Sequence, residues 1–142
     1  MTEDFDDLIS ELEEAIQKEE KEIYSERTLE EAYNPKNVGV LKDPDGYGRI
    51  IGPCGDTIQI HIKVDNGKVI DCKFITDGCG PSTASGSVVT EMVKGKTIEE
   101  ALMIQAKDVL AVLDGLPEES IHCPVLAVNT LRAAIEDYKK KV

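Results

Sequence analysis

Between Thr57 and Val64 the chain alternates without interruption. Ile58, Ile60, Ile62 and Val64 fall on one side, and Thr57, Gln59, His61 and Lys63 on the other. A period of two marks a strand with one face in a core and one in water. Asp65-Asn66-Gly67-Lys68 follows, and Asn-Gly supplies the two positive-φ positions of a tight hairpin turn. Val69–Thr76 returns as a second strand, with Ile70, Cys72 and Phe74 expected on its apolar face. A short strand near Arg49–Ile51 completes an antiparallel meander. Such a sheet leaves one face that something must cover.

The cover comes from the rest of the chain, which is helical from Pro81 onward. Ser82 is expected to cap a helix running to about Val93 and closed by Gly95. Thr97-Ile98-Glu99-Glu100 is a capping box for the next helix. Another, near Lys107–Leu113, stops at Asp114-Gly115-Leu116-Pro117. Pro124 suits the first turn of a last helix, in which Ala127, Val128, Leu131, Ala134, Ile135 and Tyr138 form a buried stripe. Strands followed by helices imply an α+β fold, with the helices packed on one face of a three-stranded antiparallel sheet.

The segment before this body differs from it in charge. Residues 1–32 hold 13 acidic and 3 basic side chains, a balance of −10, whereas residues 33–142 are nearly neutral at −2. Phe5, Leu8, Ile9, Leu12, Ala15 and Ile16 recur at helical spacing among the acids, so residues 1–22 read as an acidic helical extension and 23–142 as the domain proper. The charged run Lys18–Glu22 is expected to link this helix to a second one near Tyr24–Tyr33, ended by Asn34-Pro35. No basic footprint for nucleic acid is present, and no apolar run reaches membrane-spanning length. Met1-Thr2-Glu3-Asp4 lacks the apolar stretch of a secretory signal. The chain reads as soluble and cytoplasmic.

In that compartment the four cysteines argue for metal or thiol chemistry rather than a disulfide framework. Strand phase puts Cys72 in the core and His61 among solvated residues. The other three cysteines sit in turns. Cys54-Gly55-Asp56 joins the first two strands, Gly78-Cys79-Gly80 lies between the last strand and the first body helix, and His122-Cys123 begins the final helix. A helix N-terminus is expected to lower the pKa of the Cys123 thiol and favour thiolate. Each cysteine stands beside glycine or proline, and two adjoin Asp56 or His122, which points to a metal rather than to inert loop thiols. Three cysteines completed by Asp56 or His122 suit tetrahedral zinc. The same donors suit a small iron–sulfur cluster. The donor set alone serves both.

These pieces together resemble the iron–sulfur cluster assembly scaffold family of the IscU and NifU N-terminal type. The resemblance rests on Asn34-Pro35-Lys36-Asn37-Val38-Gly39, Pro53-Cys54-Gly55-Asp56, Gly78-Cys79-Gly80 with its Ser/Ala-rich continuation, Gly95-Lys96-Thr97, and His122-Cys123 leading to Ala133-Ala134-Ile135-Glu136-Asp137-Tyr138. It implies a scaffold and not an enzyme, one that takes sulfur from a cysteine desulfurase, builds a 2Fe-2S cluster and passes it to apo iron–sulfur acceptor proteins. The implied cluster ligands are Cys54, Cys79, Cys123 and Asp56 or His122, with Cys123 as the persulfide acceptor. Zn2+ in the cluster-free protein is also implied. Where relatives with a dedicated Hsp70-type chaperone carry Leu-Pro-Pro-Val-Lys, this chain has Leu116-Pro117-Glu118-Glu119-Ser120, which counts against that partner. The 43 residues between Cys79 and Cys123 leave no room for the insertion of the SufU branch. A zinc-dependent sulfur-transfer protein of SufU type is therefore the alternative, with a zinc-stabilised interaction module behind it.

Overall fold

The hairpin forms as its turn residues require, with Asn66 at φ 52° and Gly67 at φ 74°. In the computed structural model, which describes residues 2–142, three antiparallel strands run in the order β1 (Gly46–Ile51), β2 (Thr57–Asp65), β3 (Lys68–Thr76). Ile58, Ile60, Ile62, Cys72 and Phe74 all point into the core. Ile70 does not. Lys63 pairs with Asp71 but Val64 pairs with Val69, so β3 carries one extra residue at Ile70. That bulge reverses the phase: Val69 is buried and Ile70 is 58% exposed, against the face expected from simple alternation.

The helices are α1 (Thr2–Ile23), α2 (Glu26–Tyr33), α3 (Gly80–Val93), α4 (Ile98–Leu102), α5 (Ala106–Val112) and α6 (His122–Lys141). α6 lies across β1 and β2, and α3 across β3. Close approach of α6 depends on Gly48, where a Cβ would stand 2.5 Å from the Thr130 carbonyl oxygen. The α6 stripe is buried as expected, with Tyr138 partly so. Thr97 and Glu100 make the reciprocal capping box of α4.

Two expectations about the helices need correction. Lys18–Glu22 is not a link, because α1 continues through it to Ile23. Glu, Lys and Gln are strong helix formers, and nothing in that run breaks the backbone. The break falls at Ser25, which caps α2 by accepting from the Thr28 amide at 3.0 Å. Thr28 in turn donates to the Leu113 carbonyl at 2.9 Å and ties α2 to the body. Nor is Ser82 a cap. α3 begins at Gly80 with Cys79 at the capping position, so Ser82 lies inside the first turn and is fully buried.

α1 packs chiefly on α2. Its apolar stripe stays in solvent, with Phe5 62% and Leu12 55% exposed. His61 is less free than its strand phase implied: its Nδ1 accepts from the Leu41 amide at 3.1 Å and its ring meets Tyr47 edge-on. Cys72 is completely enclosed, and burial pushes its thiol far above the usual thiol range. Such a thiol stays protonated and unreactive near neutral pH. Cys72→Ala is therefore expected to cost about 1 kcal/mol of stability and to leave metal uptake unchanged. Thermal melts paired with zinc titration check both halves.

Candidate metal centre

Three turns converge at one end of the sheet. The β1–β2 connection is tightened by Gly55 at φ 86°, by the Gly52 amide donating to the Asp56 carbonyl at 2.7 Å, and by the Gly55 amide donating to the Gly52 carbonyl at 3.0 Å. Glycine tolerates that backbone conformation where other residues are strained. The turn carries Cys54 exposed and Asp56 half-buried. Cys79 stands exposed at the start of α3, and His122 and Cys123 are the first two residues of α6.

The imidazole of His122 is oriented by the short 3-10 turn Glu118–Ser120 that precedes it. Its Nδ1 lies 3.0 Å from the Glu119 carbonyl oxygen. A carbonyl only accepts, so Nδ1 carries the proton and Nε2 keeps its lone pair. Nε2 is 3.6 Å from Cys123 Sγ. This is the tautomer a metal ligand needs.

All five residues singled out from the sequence are brought together, as two overlapping trios. The donor atoms of Cys54, Asp56 and His122 lie within 4.8 Å of one another, and so do those of Asp56, Cys79 and Cys123. Asp56 belongs to both. Donors around a tetrahedral zinc stand about 3.3–3.8 Å apart, so either trio needs only a small contraction to close on an ion. Cys54, Asp56, Cys79 and His122, but not the enclosed Cys123, border a cleft of about 510 Å³ that is also lined by Asp77 and Glu119. Carboxylates and thiols with no lysine or arginine among them favour a cation over an anion.

Cys123 departs from expectation. It is fully buried, and that burial is the main cause pushing its thiol up to about 11. The neighbouring Cys79 and Asp56 push the same way, while the Ser82 hydroxyl opposes them. Enclosure outweighs the helix N-terminus here, because desolvation penalises the thiolate more than the end of the helix stabilises it.

Ser82 is the residue that sequence reasoning missed. Its hydroxyl donates to Asp56 Oδ2 at 2.8 Å and lies 3.5 Å from Cys123 Sγ. A usable signal was there: with the helix beginning just after Cys79, a residue three positions on falls one turn further along the same face.

Comparison with known proteins adds to this geometry. Residues 23–142 match the NifU-like N terminal domain family. The chain is 47% identical over 120 residues to an iron–sulfur cluster assembly scaffold protein, IscU, of Archaeoglobus fulgidus, covering 84% of this chain and 78% of that one. It is 46% identical over 123 residues to the corresponding IscU scaffold protein of Haemophilus influenzae, covering 83% of this chain and 97% of that one. The crystal structure of the N-terminal part of a nitrogen-fixing NifU-like protein from Brucella abortus superposes with a TM-score of 0.65 at 26% identity. That match covers 84% of this chain and 96% of the other.

Proposed function

This chain belongs to the NifU-like N-terminal domain family, and from that premise we propose how it works as a scaffold for iron–sulfur cluster assembly. As a scaffold it holds its product until an acceptor takes it, and is not an enzyme. Its partners by class are a cysteine desulfurase that supplies sulfur and apo-proteins that receive the cluster. The cargo is a 2Fe-2S cluster held by Cys54, Cys79 and Cys123, with Asp56 or His122 in the fourth position. Zn2+ occupies the same donors when no cluster is there. The observation that carries this reading is the pair of trios sharing Asp56: five donors serve four positions, so one ligand can leave while another arrives.

Sulfur enters at Cys123. The Cys123 thiol passes its proton to the free Nε2 of His122, 3.6 Å away. Its thiolate attacks the outer sulfur of the desulfurase persulfide, an S–S bond forms on Cys123, and the desulfurase thiolate leaves with the old bond's electrons. Conversion of that sulfur to sulfide takes two electrons from a ferredoxin-class donor. His122 and Cys79 flank the acceptor sulfur and receive the iron. The departure at Leu116–Ser120 supports a scaffold that works without a dedicated Hsp70-type chaperone, since Glu118 and Glu119 add charge there and the backbone of Glu119 is engaged by His122.

Anaerobic reconstitution with ferrous iron, cysteine and a desulfurase tests the reading. Visible charge-transfer bands of a 2Fe-2S centre are the expected result. Persulfide on Cys123 without those bands would instead favour zinc-dependent sulfur transfer of SufU type.

Residues 1–22 read as an appendage to the scaffold domain, 23–142. The exposed stripe of α1 and its packing chiefly on α2 support that division. Deleting residues 1–22 is expected to leave zinc affinity within about twofold of the full chain, checked by competition with a chromophoric chelator; that limit corresponds to roughly 0.4 kcal/mol. A tenfold loss would make α1 part of the domain. No helix among the described residues is long and apolar enough to cross a membrane. The need for three reduced thiols supports a cytoplasmic setting.

A further inference from the structure

Ser82 is rooted in α3, fully enclosed, and belongs to neither trio of donors. Yet its Oγ touches one member of the site from the β1–β2 turn and another from α6, at 2.8 Å from Asp56 Oδ2 and 3.5 Å from Cys123 Sγ. A hydroxyl has a single hydrogen, and a carboxylate accepts. The short contact is therefore Ser82 donating chiefly to Asp56, with Cys123 Sγ, at 3.5 Å, taking the lesser share of that hydrogen.

The space for this bridge exists because residue 78 has no side chain. A Cβ on Gly78 would stand 2.6 Å from Ser82 Oγ and 3.0 Å from Asp56 Oδ2. Among the described residues, the Ser82 hydroxyl is the one hydrogen-bond donor to the Asp56 carboxylate. Without it, that side chain would be free to rotate out of the overlap between the two trios.

We propose that Ser82 is a positioning residue of the metal centre, holding Asp56 Oδ2 so that Oδ1 is the oxygen offered to a divalent cation. The proposal rests on Asp56 being a metal ligand. Ligating carboxylates are themselves held by hydrogen bonds, and loss of such a partner lowers metal affinity roughly 10–100-fold. Ser82 acts only through Asp56, so its effect must disappear when Asp56 is gone.

The test is a double-mutant cycle on the full chain, read by anaerobic Co2+ titration of the thiolate-to-cobalt bands. Ser82→Ala is expected to weaken Co2+ binding roughly 10-fold or more, Asp56→Ala at least as much, and the double variant no more than Asp56→Ala alone. Equal losses from Ser82→Ala in both backgrounds would reduce Ser82 to packing and overturn the proposal. So would an unchanged affinity in Ser82→Ala. If Asp56→Ala itself binds Co2+ like the parent protein, the ligand assignment fails first, and the proposal falls with it. Gly78→Ala provides a second route should Ser82→Ala not fold. It crowds the bridge while keeping the hydroxyl, and is expected to show the same loss and the same dependence on Asp56.

Discussion

Cys123→Ser is expected to leave the metal-free protein folded and to remove both persulfide formation and cluster assembly. The substitution keeps a small polar side chain in an enclosed niche bordered by Cys79, His122 and Ser82, so no large cavity opens. What is lost is the sulfur. A hydroxyl cannot take up sulfane sulfur, and it replaces a soft thiolate donor with a hard oxygen. Cluster yield after anaerobic reconstitution is expected to fall below about one tenth of the parent value, at least 1.4 kcal/mol on the assembly equilibrium. Mass spectrometry after incubation with the desulfurase should find no sulfur adduct at position 123. A persulfide at undiminished level would move the acceptor role to Cys54 or Cys79, the two exposed thiols.

The burial of Cys123 adds a pH dependence to the same residue. Its thiol is pushed up to about 11, so the folded protein holds this proton through the range where an ordinary thiol has lost it. The resulting contribution to stability is complete below the usual thiol pKa and is lost as pH rises from there through 11. Alkylation of Cys123 in the metal-free protein should keep accelerating beyond about pH 9, where a free cysteine reference has already reached its plateau. A metal that binds Cys123 displaces the proton, so metal affinity should rise with pH over the same range.

Much of this was legible in the sequence, and the parts that were not share a cause. The β2 alternation, the Asn66-Gly67 turn and the capping box at Thr97 are local signals, and each formed as expected. Ile70 failed because a bulge is a property of two paired strands, and β3 alone does not reveal that Val64 pairs with Val69. The five donors were visible because glycine, proline and chain turns surround them. The enclosure of Cys123 and the bridging role of Ser82 were not visible, since both arise where α3 and α6 meet over the β1–β2 turn. Ser82 after Pro81 has the local appearance of a cap, and only the true start of α3 at Gly80 turns its hydroxyl toward Asp56.

Asp56→Ala should change single-ion binding and cluster release in opposite senses. For one ion, Asp56 is the donor common to both trios, so its loss leaves two incomplete sets and weaker binding. Under the proposed assignment a 2Fe-2S cluster, being larger, would be held by Cys54, Cys79 and Cys123 together. The fourth position then falls to Asp56 or His122. A carboxylate is the harder donor and the easier one for an incoming ligand to displace, whereas the His122 imidazole, with Nε2 already free, is held in place by the Glu119 carbonyl. Removing Asp56 therefore leaves the cluster with its firmer ligand. Transfer to an apo-ferredoxin is expected to slow by about tenfold or more, corresponding to roughly 1.4 kcal/mol on the release barrier. Sulfur delivery to Cys123 should survive, because the acceptor sulfur is untouched. Stopped mixing of reconstituted protein with apo-ferredoxin, followed by visible absorption and circular dichroism, measures the rate. Transfer as fast as in the parent protein would show that Asp56 is not the ligand that lets the cluster go, and His122 would take that role. A variant that lost cluster faster would mean that Asp56 holds the cargo rather than helping to release it.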